Sequence, residues 1–357
     1  MTSFELQTLR EPKALPIAFA SLHAAALGDQ LHVVGLDEHR RARHLGVDAR
    51  GEISGTDAEL PLVEITSVAA CGDTIVVAGV AVGDLAVVLG VSPQGRIVWQ
   101  ADIPAAEQYQ HWPRPVCAAG SIWVFSMAGG TRHAMRLVQV ADGRVREPIS
   151  LAIADDSDTI DVLGDAEGIL IARTHADGQR LELMRVVDDR VTVRVDVAAA
   201  ERPVAPSLAR VGEAIALAWL SAPSEPRLQL FDARLKPLGA AVRLLSAPQP
   251  AVTSVGLLTV PEVGLAFAFQ ATKVVSDART VHNPDGTVTH HGPRRTSPLW
   301  IAMYDSDAQH AGPPRLVDAD AKFYAGGWLG DALAIVHCRH DTYVSIFERN
   351  IRTGTRG

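Results

Sequence analysis

One unit recurs along this chain about every 45 residues, and no other feature limits its possible folds so tightly. Each copy has a short apolar run, a tight turn, a second apolar run, a hairpin, and then further short runs. The opening halves read "SLHAAALGDQLHVVG" (21–35), "SVAACGDTIVVAG" (67–79), "PVCAAGSIWVFS" (115–126) and "DVLGDAEGILIAR" (161–173). Three more follow as "LARVGEAIALAWL" (208–220), "SVGLLTVPEVGLAFAF" (254–269) and "YAGGWLGDALAIVHC" (324–338), which makes seven copies. Behind most of them comes a third run with an Asp- or Gly-bearing turn, as in "VSPQGRIVWQ" and "QVADGRVREPISL".

Short alternating runs with turn signals at this density specify an all-β chain, and four strands per period specify propeller blades. "AELPLVEI" and "VDVAAAERP" are too short or too Pro-bounded to be helices. The expectation is a single seven-bladed β-propeller of four-stranded blades, spanning 18–60, 61–104, 113–152, 158–198, 204–246, 251–318 and 321–350. The seventh copy ends after its third strand, so "FELQTLR" (4–10) from the N-terminus is expected to close it, which removes an open sheet edge. A long hairpin insert, 272–298, interrupts the sixth blade. On these copies, and on Gly95 and Trp99 of "SPQGRIVWQADIP", the chain resembles the seven-bladed propellers of the broad WD40-like and quinoprotein-like group. The WD and GH signatures of true WD40 repeats are absent and no quinone-binding residue matches. The resemblance therefore implies architecture and carries no activity.

Composition narrows the function classes. A net charge of -8 over 357 residues argues against general nucleic-acid binding, which needs a basic surface to displace counterions. Only four of the 33 basic residues are lysines (Lys13, Lys236, Lys273 and Lys322). No apolar run is long enough to span a bilayer and the N-terminus has no signal-like apolar core. Cys71, Cys117 and Cys338 are odd in number and far apart, with no CxxC spacing, so they read as small buried hydrophobes in a reducing compartment. A soluble, cytoplasmic, bacterial protein is expected.

Blade topology sorts loops onto two faces. The second-to-third hairpins share one face with the blade-to-blade loops, and they carry "DEHRRARH" (37–44), "GGTRH" (129–133), "THADGQR" (174–180), "SEPRL" (224–228) and "HCRHD" (337–341). The opposite turns lean acidic, with Asp29, Asp73, Asp142, Asp188, Asp189, Asp305, Asp307 and Asp331. A cationic face above an acidic body would draw an anionic ligand to the channel mouth. The stretch "EQYQHWPRP" (107–115), read as a blade-to-blade loop, adds Tyr109, His111, Trp112 and Arg114, residue types that anchor partners. First-strand residues His23, Ser67, Asp161, Ser207, Ser254 and Tyr324 are placed along the central channel.

The insert holds "VHNPDGTVTHHGPRR" (281–295). Pro284, Asp285 and Gly286 suit a three-residue hairpin loop with a bulge. That register sets His282 opposite Val288 and Thr280 opposite His290, so His282 and His290 share one sheet face while His291 takes the other. Two histidines are short of a zinc site, so no metal and no cofactor is expected. "DSDTID" (156–161) lacks the Gly and distal Glu of a calcium loop. GxSxG, HExxH, P-loop and GxGxxG signatures are likewise missing.

The leading expectation is a non-catalytic binding or scaffold propeller that recognises a peptide or protein, an anionic one by charge match, on its Arg/His-rich face. Its contacts would come from Tyr109, His111, Trp112, Arg114, His282, His290, Arg294 and Arg295. The alternative is an enzyme (hydrolase, lyase or cyclase) of a specialised bacterial pathway, with His23, His111, Asp161 and Tyr324 supplying acid/base chemistry at the channel mouth.

Overall fold

The computed structural model describes residues 2–353 except 55–56, 104–109, 129–132, 142, 156, 176–177, 189, 198–201, 222–223, 246–251, 261–263, 278, 283–286, 292–293, 306–307 and 309–313. Among the described residues there is no helix, and none is long and apolar enough to cross a membrane. Seven antiparallel sheets stand in a ring, each following the up-and-down order of a propeller blade. The innermost strands are Phe19–Leu27, Glu64–Cys71, Gln110–Ala118, Ser157–Asp165, Val204–Val211, Val252–Val260 and Phe323–Leu329. Each touches the next in order, and the seventh returns to the first.

Burial explains the strand sequences. A second strand lies inside its blade and between two neighbouring blades, so both of its faces are covered. Gly168–His175, Gly264–Ala271 and Ala332–Cys338 are buried at every position and read as largely apolar runs whose polar residues, such as Arg173, Gln270 and His337, find partners inside. The outermost strand Arg190–Val197 instead alternates exposed and covered residues. The core is accordingly divided into clusters between blades. One of them joins Leu31, Val33, Leu45 and Val47 of blade 1 to Ala334, Val336 and Ile346 of blade 7. Each such Leu or Val contributes about 1.5–3 kcal/mol on burial. Two-residue turns join the first and second strands, and Gly28, Gly72, Gly212 and Gly330 take φ between 57° and 63° there. A Cβ would meet nothing at these positions, so backbone conformation and not space selects glycine.

The N-terminal strand closes the ring. Thr2–Thr8 pairs antiparallel with Thr342–Thr353, from Thr2 opposite Thr353 to Thr8 opposite Phe347, and so supplies the outer strand of blade 7. Leu6 is 3% exposed and packs with Leu299, Ile301, Trp328 and Phe347.

The reading of all three cysteines as isolated thiols is corrected. Cys71 and Cys117 form a disulfide, with Cα atoms 5.2 Å apart and a sequence separation of 46, while Cys338 is free and buried. The separation is one repeat. Each of the pair lies at the end of an innermost strand in neighbouring blades, a relation that linear Cys spacing conceals.

His44 does not sit on the hairpin face either. Strand alternation turns it, with His32, into the seam between blades 1 and 2, where Val34, Leu36 and Ala42 pack against Leu60, Leu62, Ile75 and Val77. Both rings are 0% exposed and stacked, with His32 Nδ1 3.0 Å from His44 Nε2. Their other nitrogens, His32 Nε2 and His44 Nδ1, have no partner. Burial, and secondarily the charge of His32, pushes His44 down to about 4; burial also lowers His32.

Two outcomes are expected. Deleting residues 1–10 should lower the melting temperature of the whole ring, because an edge of blade 7 and the Leu6 contacts go together; unchanged melting would overturn the closure. Acid should act through the histidine pair. An unfolded histidine takes up a proton near 6.5 and folded His44 only near 4, so the contribution is complete above about pH 6.5. It is lost as pH falls towards 4, by about 3 kcal/mol for His44. Urea unfolding of wild type and a His32→Leu/His44→Leu double variant at pH 7.5 and 4.5 checks this, and the variant should lose less stability on acidification.

Candidate functional site

Neighbouring innermost strands belong to different sheets, so no backbone ladder joins them. In blades 1 to 6 each of these strands also carries a register shift near its start, between Phe19 and Ser21, Ile65 and Ser67, His111 and Arg114, Ser157 and Ile160, Val204 and Ser207, and Val252 and Ser254. A bulge of this kind re-aims side chains. At or just beyond it, polar side chains reach sideways to the backbone of the next blade. His23 hydrogen-bonds the Ile65 backbone. Thr66 Oγ1 donates to the Pro113 carbonyl at 2.6 Å, and Arg114 Nη1 donates to the Ile160 carbonyl at 2.6 Å. Asp161 Oδ2 accepts from the Leu208 N–H at 2.7 Å and Ser207 Oγ from the Leu257 N–H at 3.0 Å. Two further ties come from other strands: Gln270 Nε2, on the second strand of blade 6, donates to the Ala321 carbonyl at 2.7 Å, and Thr342 Oγ1, on the third strand of blade 7, accepts from the Phe19 N–H at 2.8 Å. Every seam of the ring therefore has at least one side-chain tie.

Several residues expected to do chemistry are among these ties. Asp161 lies 3.6 Å from Arg114 Nη1. Burial raises its carboxyl above the ordinary range, against Arg114 and the backbone N–H groups of Leu208 and Val162. His23 is pushed down, first by burial and then by the Arg114 charge, with the Ile65 contact opposing. His23, Arg114 and Asp161 thus form one polar group across blades 1, 3 and 4. Tyr324 comes from blade 7: its hydroxyl donates to the Ala268 carbonyl at 3.3 Å and burial pushes it up to about 12.

The stretch read as a loop before blade 3 is corrected from His111 onward, since Gln110–Ala118 is the innermost strand itself. Pro113 falls inside the register shift of an edge strand, where a missing N–H costs no ladder bond. Tyr109 lies outside the described residues, as do the side chains of His111 and Trp112. Trp99, the quinoprotein-like tryptophan, is a packing residue: its indole lies over Gly90, where a Cβ would come within 2.1 Å.

Fewer cations stand free on the hairpin face than the residue types imply. Arg41 pairs with Asp37 at 2.9 Å, and Arg43 with Asp57 through Nε at 2.8 Å. Arg227 pairs with Glu225 at 3.2 Å and Arg339 with Asp320 at 3.1 Å. His337 is buried, with Asp318 2.7 Å from Nδ1 and Ser345 3.0 Å from Nε2. His175 is buried as well, beside an internal group in which Glu182 accepts Arg173 Nε at 2.7 Å and faces Arg194 Nε at 3.1 Å. Position on the strand decides this: residues at the base of a hairpin still face a neighbouring blade.

The same face holds a cavity of about 260 Å³ between blades 7 and 1. Phe19, Phe323, Ala18, Ala20 and Cys338 form its apolar wall, and Glu38, Lys322, Arg339 and His340 its rim. Phe323 is 44% exposed. Glu38, Cys338, Arg339 and His340 of this set lie in the hairpin stretches of the sequence; Phe19, Lys322 and Phe323 follow from the 7-to-1 contact that ring closure creates. Blade 6 extends the face. Lys273–Ser276 pairs with Arg294–Thr296, and beyond it Arg279, Thr280, Val281 and His282 pair with His291, His290, Thr289 and Val288. That is the register the turn chemistry required. Arg295 is exposed beside Val274 and Val275, which are 50% and 47% exposed. The side chains of His282, His290, His291 and Arg294 lie outside the described residues.

The ties are expected to matter for stability. Asp161→Ala leaves the Leu208 N–H without its acceptor and should cost about 1–3 kcal/mol, whereas Asp161→Asn keeps an oxygen there and should cost less. Equal denaturation midpoints for wild type and Asp161→Ala would show that this seam does not need its tie.

No protein-family model matches the sequence, and the search of curated proteins found no match. Solved structures do resemble the fold. The Dos1 propeller matches with a TM-score of 0.54 and 9% identity, over 96% of this chain and 95% of that one. BBS1N, solved in complex with ARL6DN, matches at 0.58 and 12% identity over 96% of each chain. The WD40 domain of SCAP from fission yeast matches at 0.50 and 9% identity, over 97% of this chain and 98% of that one. The chain is a seven-bladed β-propeller, similar in fold to these propellers, a statement about its fold alone.

Proposed function

We propose that this chain is a non-catalytic binding propeller that holds a peptide or protein on the face of its second-to-third hairpins. The observation that carries this reading is the cavity between blades 7 and 1, with its apolar wall, its partly exposed Phe323 and its charged rim of Glu38, Lys322, Arg339 and His340. A hollow of about 260 Å³ takes one or two side chains of a peptide rather than a whole metabolite, and the mixed rim suits the polar backbone around them. A partly exposed aromatic ring beside cationic groups is a frequent anchor in interfaces. BBS1N, similar in fold, was solved with a protein partner, which makes the same use of a ring reasonable here. His282, His290, Arg294 and Arg295 of the blade-6 hairpin would add contacts at the rim of this face, and Tyr109, His111 and Trp112 would add them from blade 3.

The acid/base reading of His23, His111, Asp161 and Tyr324 has less behind it. Asp161 and Tyr324 are engaged with backbone groups of neighbouring blades. A random-peptide display library panned against the purified protein tests the binding reading. Selected peptides should bind a Phe323→Ser/Lys322→Glu variant at least about tenfold more weakly, the loss of one anchor side chain. Undiminished binding, or no enrichment at all, would overturn the assignment of this face.

A further inference from the structure

Among the described residues the seam between blades 2 and 3 alone is closed by a covalent bond. Cys71 is the last residue of Glu64–Cys71 and Cys117 the last but one of Gln110–Ala118. Both stand next to the turns that lead into the second strands, at the end of the channel opposite the hairpin face. The Thr66–Pro113 tie holds the other end of the same seam at 2.6 Å. Between these points no backbone ladder links the two strands, which belong to separate sheets. Cys71 packs beside Val76, Trp99 and Ile122, so the cluster that joins the two blades reaches up to the bond.

We propose that the Cys71–Cys117 bond is a clasp that locks blade 2 to blade 3, and that the protein works in an oxidising compartment where the bond persists. The two cysteines come from different sheets and meet only when the blades are stacked, so the bond forms on an assembled seam. The chemistry is exchange with an external disulfide. One cysteine thiolate attacks a sulfur of the donor, giving a mixed disulfide and releasing one donor thiol. The second cysteine then attacks the protein sulfur of that intermediate and expels the other donor thiol. Two electrons and two protons pass from the cysteine pair to the donor disulfide, which leaves as two thiols. Cys71 and Cys117 are half-buried, open enough for a donor to reach, whereas Cys338 is 2% exposed on blade 7 and burial pushes its thiol up, so it does not compete. Bonds of this kind persist in secreted and periplasmic settings and are rare where thiols are kept reduced, which points away from the cytoplasm. The inference is independent of what the hairpin face binds.

The test uses the full chain. Protein refolded with a glutathione redox pair, denatured and treated with a maleimide, should label at one cysteine, Cys338, and at all three after reduction. Protein quenched in acid directly from its source cells should give the same single label. Reduction with dithiothreitol should lower the melting temperature by roughly 5 °C. A Cys71→Ser/Cys117→Ser variant should melt like the reduced wild type and show no response to reductant. Should that variant fail to fold, the reduced wild type carries the comparison alone. Three labelled cysteines in the refolded protein, or equal melting of the oxidised and reduced forms, would overturn the clasp. Three labelled cysteines in the acid-quenched cells would overturn the compartment.

Discussion

The weakest line in a propeller is the seam between innermost strands, and this molecule depends on how its seams are held. Within a blade every strand has a hydrogen-bonded neighbour. Between blades the innermost strands share no ladder, so packing, side-chain ties and isolated backbone contacts such as Ala119 N–H to the Asp165 carbonyl at 2.8 Å remain. The ring meets that need with at least one polar tie per seam, and several ties carry the repeat in their spacing. Arg114 reaches residue 160, Asp161 reaches 208 and Ser207 reaches 257, separations of 46, 47 and 50. Each tie also satisfies a backbone group near the channel that would otherwise go without a partner.

That use of polar side chains shapes what the channel can do. An aspartate, a histidine and an arginine in a central cleft would normally invite a reading as acid, base and anion clamp. Here Arg114 spends a donor on the Ile160 carbonyl, and Asp161 spends an oxygen on the Leu208 amide. The raised pKa of Asp161 then follows from burial, against Arg114, and the lowered one of His23 from burial and from Arg114, without a substrate to explain them. On the hairpin face, in the proposed binding role, side chains would meet a partner. Even there the charges are mostly matched, as Arg41 is by Asp37 and Arg339 by Asp320. Shape and apolar contact at Phe19 and Phe323 then outweigh net charge in the binding reading.

Ring closure ties these features together. Blade 7 is completed by residues from both ends of the chain, so the cavity between blades 7 and 1 exists only in the closed ring. Other seams carry their own devices. A disulfide locks blades 2 and 3, and a neutral histidine pair fills the space between blades 1 and 2. The pair is stable there because both rings stay uncharged at neutral pH, and that same burial makes the seam sensitive to acid.

Much of the architecture was legible in the amino-acid sequence, because strand alternation, turn glycines and a repeat are local properties. The seven copies, the N-terminal strand that completes the last blade, and the register of the blade-6 hairpin around His282 and Val288 all follow from short-range rules. Which residue meets which across a seam is not local. Whether His44 faces solvent or His32, whether Cys71 stays a thiol or bonds Cys117, and whether Asp161 is a free carboxylate or the acceptor of the Leu208 amide depend on how one blade stacks on the next. By itself the sequence determined the blades and their order. The tertiary structure decided the contacts between them, because a partner one repeat away becomes a neighbour only when the ring has closed.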